Sequence, residues 1–231
     1  MIAGIDFETE MKQLAKTHGA VDNAFLNRFA QGNVSKAEFK RAGVEFAHFS
    51  REWPAILATL LVNTPDENEA AELTKILVSE LGDLNPQNRH ELLMRKFLRS
   101  IDVDPKEVMR QEQLPTTKAF NDGLKRLFAD KDHFVALGAE FALENMAIPM
   151  WDKIIAGLKI KKAEHPKMDI VFFTFHRALE EGHEDAMSNA LGAHAHNLVM
   201  QASFRRGAHE LLNVLEQFWL GMDDKRVGEI K

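Results

Sequence analysis

Three side chains in the segment 175–185, which reads FHRALEEGHED, are common ligands of first-row transition metals. His176, Glu180 and His183 are separated by four and then three residues, so in an α-helix they would share one face. No proline follows residue 166, and the neighbouring sequence is rich in Leu, Phe, Ala and Met, which predicts a helix here. Imidazole together with carboxylate suits iron, manganese or zinc, and carboxylates from a second helix would complete a dinuclear site.

The same three residues are also compatible with an ordinary solvated helix face. The flanking sequence argues against that interpretation, because Phe172, Leu179 and Met187 make most of the helix circumference apolar. A buried imidazole or carboxylate needs a hydrogen-bond partner or a metal. The pattern therefore favours a metal site and leaves a surface position as the alternative.

Carboxylates in apolar surroundings are the candidates for the remaining ligands. Glu144 lies in the sequence FALENMAIP, where an unpaired carboxylate would be costly, and Glu140 lies one turn earlier as the alternative register. Glu80 ends a predicted helix and His90 begins the next one, so a short connection can bring both to one ion. Read alone, Glu144 is also compatible with a core glutamate paired with an arginine, and Glu80 and His90 with surface positions.

The composition limits the classes of protein that fit. With 231 residues, of which 45% are apolar, the chain can bury a large core, and we expect one domain over 1–231 with a polar tail at 223–231. A net charge of -6 and a pI near 5.9 provide no basic surface, so we expect no nucleic-acid partner. The sequence contains no run of 18 apolar residues and no signal-peptide pattern, so we expect no membrane partner and a cytoplasmic protein.

Helix start signals recur along the chain, whereas period-two alternation, internal repeats and glycine-rich phosphate loops are absent, which predicts an all-α fold. Ser35 with Glu38 three residues later is a capping box, and Thr64 and Asn85 each precede a proline at a predicted helix start. The helices expected are 6–17, 21–31, one opened by Ser35 and bent at Pro54, 64–82, 85–100, a short one from 104, one capped by Thr116 or Thr117 that ends at 128, 132–159 with a kink at Pro149, 169–191 and 193–220.

The order of the candidate ligands resembles the pattern of a known superfamily, the haem-oxygenase-like diiron oxidases and oxygenases. It runs Glu80, His90, Glu144 ahead of an Ile-Pro pair, and then His176, Glu180 and His183 in the spacing H-x-x-x-E-x-x-H. Segments 26–39 and 46–54 resemble the second and third helices of that superfamily, and the overall plan is similar to CADD-like, TenA-like and PqqC-like proteins. The resemblance implies an all-α, single-domain haem-oxygenase-like helical bundle.

The resemblance also implies a ligand set and a reaction. One iron would be bound by Glu80, His90 and Glu144, and the other by His176, Glu180 and His183 together with Glu144 or Glu80. Two non-haem irons per chain are implied, with manganese in place of one as an alternative. They would activate dioxygen as a peroxo adduct, with electrons from an external donor, and oxidise a small organic substrate of the amino-acid, amine or fatty-acid type. A homodimer is expected on the same ground.

Two branches of this superfamily are excluded by residue types that the chain lacks. Without Tyr it cannot run the para-aminobenzoate-forming reaction that consumes a tyrosine of the protein, and without Cys it has no thiaminase nucleophile. An apolar substrate cavity is expected beside the metal ligands instead. Its candidate lining residues are Phe46, His48 and Phe172.

Three other interpretations remain open on the sequence. A ferritin-like diiron bundle would use E-x-x-H patterns such as those at 45–48 and 180–183, although their order along the chain does not match. A haem-binding bundle would need an axial ligand in the first helix, for which His18 is the candidate. A non-enzymatic or cofactor-binding bundle similar to TenA or PqqC would retain the metal site only as a structural or vestigial feature.

Overall fold

The computed structural model describes residues 6–192 and 197–224, and within these residues all regular structure is helical. The helices are α1 (Phe7–Thr17), α2 (Ala24–Ala30), α3 (Lys36–Asn63), α4 (Glu67–Glu80), α5 (His90–Ser100), α6 (Pro105–Val108), α7 (Pro115–Phe128), α8 (His133–Glu164), α9 (Val171–Gly192) and α10 (Leu198–Leu220). The prediction of an all-α fold is confirmed. None of the described helices is both long and apolar enough to cross a lipid bilayer.

Several helices begin where the sequence signals predict. The Ser35 side chain accepts a hydrogen bond from the backbone N–H of Glu38, and the Glu38 carboxylate accepts one from the backbone N–H of Ser35, so the predicted capping box is present. Asp6, Asp104 and Asp132 likewise accept hydrogen bonds from backbone N–H groups in the first turns of α1, α6 and α8. Local side-chain chemistry therefore fixes these starts, because each cap satisfies N–H groups that the helix itself leaves unpaired.

Other helix starts differ from the prediction. Asp66, rather than Thr64, caps α4 and accepts hydrogen bonds from two backbone N–H groups, while the Thr64 hydroxyl donates to the carbonyl of Leu60. Asn85 caps a short 3₁₀ turn at Pro86–Asn88, so α5 begins later, at His90. The start of α7 is Pro115, with Leu114 at the cap position, so neither predicted threonine caps it.

The two internal prolines do not end their helices. Pro54 lies inside α3 and Pro149 inside α8, and both helices continue past them. A proline has no backbone N–H, so each helix lacks one backbone hydrogen bond at that position. The first residues of the last predicted helix and most of the polar tail lie outside the described residues. So does the His194-x-His196 pair, for which the sequence leaves open a separate metal-binding patch and an ordinary surface position.

Helix α8 is the element around which the others pack. It contacts α10 and α9 most extensively and also lies against α1, α2 and α7, while α4 packs on α9 and α3 packs on α5 and α7. Along α8, side chains on every face are buried over 135–147, so the helix is enclosed by the core around its whole circumference there. The carboxylates Glu140 and Glu144 therefore lie inside the core.

The tight connection between α4 and α5 positions two of the predicted ligands. Gly82 adopts φ 95°, and a Cβ there would lie 2.6 Å from the carbonyl oxygen of Asn85, so only glycine fits without strain. Asp83 and Leu84 also have positive φ, 48° and 64°. This turn places Glu80, the last residue of α4, beside His90, the first residue of α5.

Candidate metal centre

The six predicted ligands come together from four helices in the interior. Each is at most 7% exposed. They are Glu80 from α4, His90 from α5, Glu144 from α8, and His176, Glu180 and His183 from α9. Their donor atoms form two groups of three, and within each group the donor atoms lie within 4.8 Å of one another.

The first group contains Glu80, His90 and His176. Nδ1 of His90 lies 2.5 Å from Oε2 of Glu80, and Nε2 of His176 lies 3.8 Å from Oε1 of the same carboxylate. The two imidazole rings are 3.8 Å apart between centroids. The two oxygens of Glu80 therefore each face a different histidine.

The second group contains Glu144, Glu180 and His183. Nδ1 of His183 lies 3.1 Å from Oε2 of Glu144 and 3.7 Å from Oε2 of Glu180. Two carboxylates thus converge on one imidazole, with all three side chains buried. This is a carboxylate-rich donor set of the kind that binds iron or manganese.

The division into groups differs from the one that the family resemblance implied. His176 lies with Glu80 and His90, not with Glu180 and His183. Glu144, which the resemblance gave to either iron, lies only with Glu180 and His183. Helix geometry gives the reason. His176 and His183 are seven residues apart, which separates their Cα atoms by about 10 Å along α9, so the two imidazoles reach different ends of the centre.

Buried polar atoms without a hydrogen-bond partner show that the donors fit metal ions. Nε2 of His90, Nε2 of His183 and Oε2 of Glu180 are buried and have no hydrogen-bond partner among the described residues. Nδ1 of His176 lies 3.0 Å from the carbonyl oxygen of Phe172, so this nitrogen carries the proton in the neutral ring and Nε2 is left as a donor. Leaving such atoms unsatisfied in the core is costly, and metal coordination removes that cost.

Trp151 is a functional candidate that the sequence reasoning missed. Its indole Nε1 donates a hydrogen bond of 2.6 Å to Oε1 of Glu180, and both groups are buried. Such contacts orient metal-binding carboxylates. The sequence does contain one indication of this role: Trp151 follows Glu144 by seven residues, so the two side chains lie on the same face of α8.

The electrostatics of the two α9 histidines are opposite. Burial, together with the charge of His90, lowers the pKa of His176 to about 3. Burial also works against charge on His183, but the charge and hydrogen bond of Glu144, followed by the charges of Glu180 and Glu80, outweigh it and raise the pKa of His183 to about 9. At neutral pH the metal-free centre therefore holds a neutral His176 and a protonated His183.

Glu140 and Glu144 occupy different positions relative to the two donor groups. Glu144 belongs to the second group, whereas Glu140 belongs to neither and has no donor to either carboxylate oxygen among the described residues. Burial first, and then the charge and proximity of Glu144, raise the pKa of Glu140 well above its ordinary value. Burial and the charge of Glu144 also raise the pKa of Glu180. The core therefore contains more carboxylate than its histidines can neutralise, which favours bound cations.

A small cavity of 50 Å³ lies against both donor groups, and we call it the inner cavity. Of the three residues predicted to line a substrate cavity, Phe46 and Phe172 line this one and His48 does not. The remaining lining residues are Phe49, Ser50, Trp53, Glu80, Leu143, Glu144, Met146, Ala147, Met150, Trp151, His176 and Glu180. Residues 46, 49, 50 and 53 share one face of α3, and His48 is turned about 160° away from that face at 100° per residue.

His48 instead lies on the face of α3 that carries Glu45 and Glu52. Glu45 accepts a hydrogen bond of 3.0 Å from the backbone N–H of Leu114, and Glu52 accepts one of 3.0 Å from Gln113. Burial lowers the pKa of His48. Neither Glu45 nor His48 belongs to a donor group among the described residues, so the structure gives no support to a ferritin-like centre.

His18, the candidate haem ligand, ends α1 as its C-cap residue. Its Nδ1 accepts a hydrogen bond of 3.1 Å from the backbone N–H of Ala20. This nitrogen is used in a turn at the helix end, and His18 lines none of the cavities at the metal centre. The haem-ligand interpretation has no structural support.

Comparison with solved structures defines the class of fold. A CADD-like protein of unknown function from Nostoc punctiforme PCC 73102 matches with a TM-score of 0.77 at 18% identity, covering 94% of this chain and 95% of that one. A TenA homologue from Pseudomonas syringae pv. tomato DC3000 matches with a TM-score of 0.76 at 14% identity, covering 93% and 90%. A domain with a haem-oxygenase-like fold from Shewanella denitrificans matches with a TM-score of 0.70 at 18% identity, covering 96% and 91%. The protein is a haem-oxygenase-like helical bundle.

Sequence comparison gives the family. The model of the iron-containing redox enzyme family matches residues 42–216, a span that contains all six predicted ligands, and the chain belongs to that family. A relative named 4-chloro-allylglycine synthase, from Streptantibioticus cattleyicolor, is 27% identical over 206 residues, which is 89% of this chain and 78% of the relative. The predicted resemblance to haem-oxygenase-like redox enzymes is confirmed.

Proposed function

We propose that this protein is a non-haem diiron enzyme that uses dioxygen to oxidise or oxygenate a small organic molecule. The observation that carries the proposal is the pair of buried donor groups, each with two kinds of metal-binding side chain. Membership of an iron-containing redox enzyme family supports iron as the metal. Manganese in place of one iron is compatible with the same donors.

Each donor group would hold one ion. Glu80, His90 and His176 would bind the first, and Glu144, Glu180 and His183 the second. Two ferrous ions bound there would supply electrons for the reductive activation of dioxygen. Binding requires His183 to give up the proton that Glu144 stabilises on it, so metal uptake releases a proton from this imidazole.

The chain's own residues exclude water and fix the ligands. The aromatic walls of the inner cavity, among them Phe46, Trp151 and Phe172, leave room for one small group beside the donors. Trp151 holds Glu180 through its indole N–H, and the Phe172 carbonyl holds the ring of His176. A dry site of this kind strengthens electrostatic interactions and protects reactive species from water.

The finer parts of the proposal concern the substrate and partners. The name of the relative from Streptantibioticus cattleyicolor specifies an amino-acid product, which supports an amino-acid substrate over an amine or a fatty acid here. Reducing equivalents would come from an external electron donor, and the protein would act in the cytoplasm as a homodimer without nucleic-acid or membrane partners. These features are part of the same proposal.

The proposal is tested by iron loading and dioxygen reactivity. Protein purified without oxygen is reloaded with ferrous iron, its iron content is measured, and it is mixed with dioxygen in a stopped-flow spectrometer. We expect about two irons per chain and a transient visible absorbance band. His183→Ala should lose the band and at least one iron, because it removes the imidazole that joins Glu144 and Glu180.

The matched control is His209→Ala, which removes an exposed histidine of α10 outside both donor groups. It should retain iron and the absorbance band. Two results would contradict the diiron proposal. In the first, His183→Ala and His209→Ala lose the same amount of iron; in the second, the wild-type protein shows neither bound iron nor the absorbance band. That second result would instead support the non-enzymatic or cofactor-binding bundle with a vestigial site.

A further inference from the structure

A groove of 590 Å³ opens on the outer side of the metal centre, at the connection between α4 and α5, and we call it the outer groove. It is lined by Ser50, Arg51, Pro54, Val78, Glu80, Leu81, Leu84, Pro86, Arg89, His90 and Glu91. Two of these residues, Glu80 and His90, belong to the first donor group. A molecule in the outer groove would therefore touch the side chains proposed to bind the first iron.

The outer groove and the inner cavity are neighbours. Ser50 and Glu80 line both of them, one from α3 and one from α4. The inner cavity is largely apolar except for its ligand carboxylates and imidazole, and the outer groove carries charge. An elongated molecule that lies in the groove would thus have one polar end outside and an apolar end directed towards Ser50 and Glu80.

Two arginines of the outer groove have no carboxylate partner. Among the described residues, seven arginines form ion pairs. In this part of the chain Arg51 and Arg89 have no acidic oxygen within 4.0 Å. The same is true of Arg99 and Arg110, but only Arg51 and Arg89 line this groove. Nη1 of Arg51 lies 2.9 Å from the sulfur of Met109, a weak acceptor. The adjacent Glu52 pairs with Lys125 at 2.5 Å instead of with Arg51.

The rim of the outer groove is unusually apolar for a protein surface. Leu84 is 94% exposed and Leu81 is 51% exposed, and Pro54 and Pro86 lie beside them. Leu84 also adopts a φ of 64°, which is uncommon and costly for a leucine. Exposed apolar groups next to unpaired arginines match a ligand with both an alkyl part and an anionic part.

We infer that the outer groove admits the substrate and that Arg51 and Arg89 recognise its carboxylate. The substrate would be a small amphipathic carboxylic acid, a class that contains both amino acids and short fatty acids and excludes a simple amine. Glu80, which lies against His90, and Glu91, which pairs with Arg95, also line the groove, and their negative charge favours a monoanion over a dianionic phosphate ester. Arginine suits this role because its planar guanidinium can bind a carboxylate through two hydrogen bonds.

The test is a set of binding titrations with compounds that share one six-carbon chain. L-norleucine, hexanoate, hexylamine and hexyl phosphate are titrated into the ferrous protein without oxygen and into the metal-free protein. Binding is followed by calorimetry and by the fluorescence of Trp53 and Trp151, which line the inner cavity. We expect at least one carboxylate to bind tenfold more tightly than hexylamine and hexyl phosphate. Arg51→Gln and Arg89→Gln should each weaken that binding about tenfold, since a hydrogen bond to a charged group contributes about 1.5 kcal/mol or more.

The matched control is Arg99→Gln on α5, because Arg99 is exposed, lies outside the groove and has no ion pair among the described residues. It should bind every compound as wild type does. The inference is overturned if hexylamine or hexyl phosphate binds as tightly as the better carboxylate, if no carboxylate binds, or if the two groove variants behave like Arg99→Gln.

The inference rests on the proposed function for its reaction, and the titrations separate the two. If the protein takes up no iron but binds a carboxylate in a way that depends on Arg51 and Arg89, the diiron proposal is refuted and the groove assignment stands. Iron uptake and dioxygen reactivity without carboxylate selectivity would refute the groove assignment alone. Both groove variants should retain the iron content of the wild type, because neither arginine is among the donors.

Discussion

The indole Nε1 of Trp151, on α8, donates a hydrogen bond of 2.6 Å to Oε1 of Glu180, on α9. The other oxygen of that carboxylate, Oε2, lies 3.7 Å from Nδ1 of His183 and has no hydrogen-bond partner among the described residues. The indole thus occupies one oxygen and leaves the second directed at the proposed metal. Trp151 also packs against Phe46, so the same side chain forms the wall of the inner cavity.

Replacing Trp151 by phenylalanine should weaken iron binding without unfolding the protein. Loss of the indole N–H frees Glu180 to rotate, and loss of a partner that orients a ligand typically lowers metal affinity about 10–100-fold. The measurement is the ferrous iron dissociation constant from competition with a colorimetric chelator. Trp219→Phe is the control, because Trp219 is equally buried, also packs on Phe46, and its Nε1 has no hydrogen-bond partner among the described residues. Equal losses of affinity in the two variants would show that cavity volume, not the hydrogen bond, is responsible.

The stability of the metal-free protein should fall as the pH rises above neutrality because of His183. Its pKa is about 9 in the folded protein and 6.5 when unperturbed, so the folded state holds the proton more tightly. The stabilisation is complete below pH 6.5 and is lost as the pH rises through about 9, with a size on the order of 3 kcal/mol. Urea unfolding of metal-free wild type and His183→Gln from pH 6 to 10 measures it. Parallel stability curves for the two proteins would contradict this prediction.

His176 should give the opposite pH dependence. Its pKa is about 3 in the folded protein, below the value of 6.5 in the unfolded chain, so the unfolded state binds the proton more tightly between these values. Stability should therefore fall as the pH drops from 6.5 towards 3 and should be independent of this group above 6.5. The measurement is the free energy of unfolding by urea at pH values from 4 to 7. In the metal-free wild type it should fall towards low pH, and in metal-free His176→Gln this fall should be smaller. An unchanged slope in His176→Gln would rule out the buried, neutral imidazole as its cause.

Glu140→Gln should stabilise the metal-free protein and weaken iron binding. Burial and the charge of Glu144 raise the pKa of Glu140, so its ionisation opposes folding above pH 4.5, and an amide of the same shape removes that penalty. We expect the melting temperature at pH 7 to rise by at least about 2 °C, with the gain disappearing as the pH approaches 4.5. Iron affinity should fall, because one negative charge beside the donor groups is lost. Glu112→Gln, at an exposed position without an ion pair among the described residues, should change neither quantity.

Much of the candidate site was predictable because its signals are local. The spacing of His176, Glu180 and His183 becomes a single helix face whatever the rest of the chain does. Glu144 stood out because its neighbours in sequence are apolar, and the structure buries it. The assignment of all six residues as metal ligands stays a prediction until iron is measured.

The parts that were not predictable depend on contacts between distant segments. His48 is predicted to line the substrate cavity, but the rotation of α3 that places Phe46 and Phe49 at the inner cavity leaves His48 on another face of the helix. The start of α4 was predicted at Thr64, while Asp66 is the residue whose carboxylate reaches two backbone N–H groups. The role of Trp151 required the relative placement of α8 and α9, which no single helix pattern contains.

The closest approach between α8 and α10 gives the last prediction. A Cβ on Gly138 would lie 2.1 Å from the carbonyl oxygen of Phe204, and a Cβ on Gly207 would lie 1.9 Å from the carbonyl oxygen of Val135. These are backbone atoms, so the two helices would have to separate, and overpacking of this kind costs about 1–3 kcal/mol or more. Gly138→Ala should lower the melting temperature by about 5 °C or more, although alanine has the higher helix propensity.

Gly182→Ala provides the comparison, because Gly182 is an exposed helix position in α9 and a Cβ there would meet nothing within 4 Å. It should raise stability by about 0.5–1 kcal/mol, since alanine loses less backbone entropy than glycine in a helix. Thermal unfolding of metal-free Gly138→Ala, Gly182→Ala and wild type measures whether each substitution lowers or raises the melting temperature. A stabilised Gly138→Ala would mean that α8 and α10 are not held at this distance in solution. Since α8 carries Glu144 and Trp151, Gly138→Ala should also lower the iron affinity. A loss of stability with unchanged iron affinity would show that the metal centre does not depend on this contact between α8 and α10.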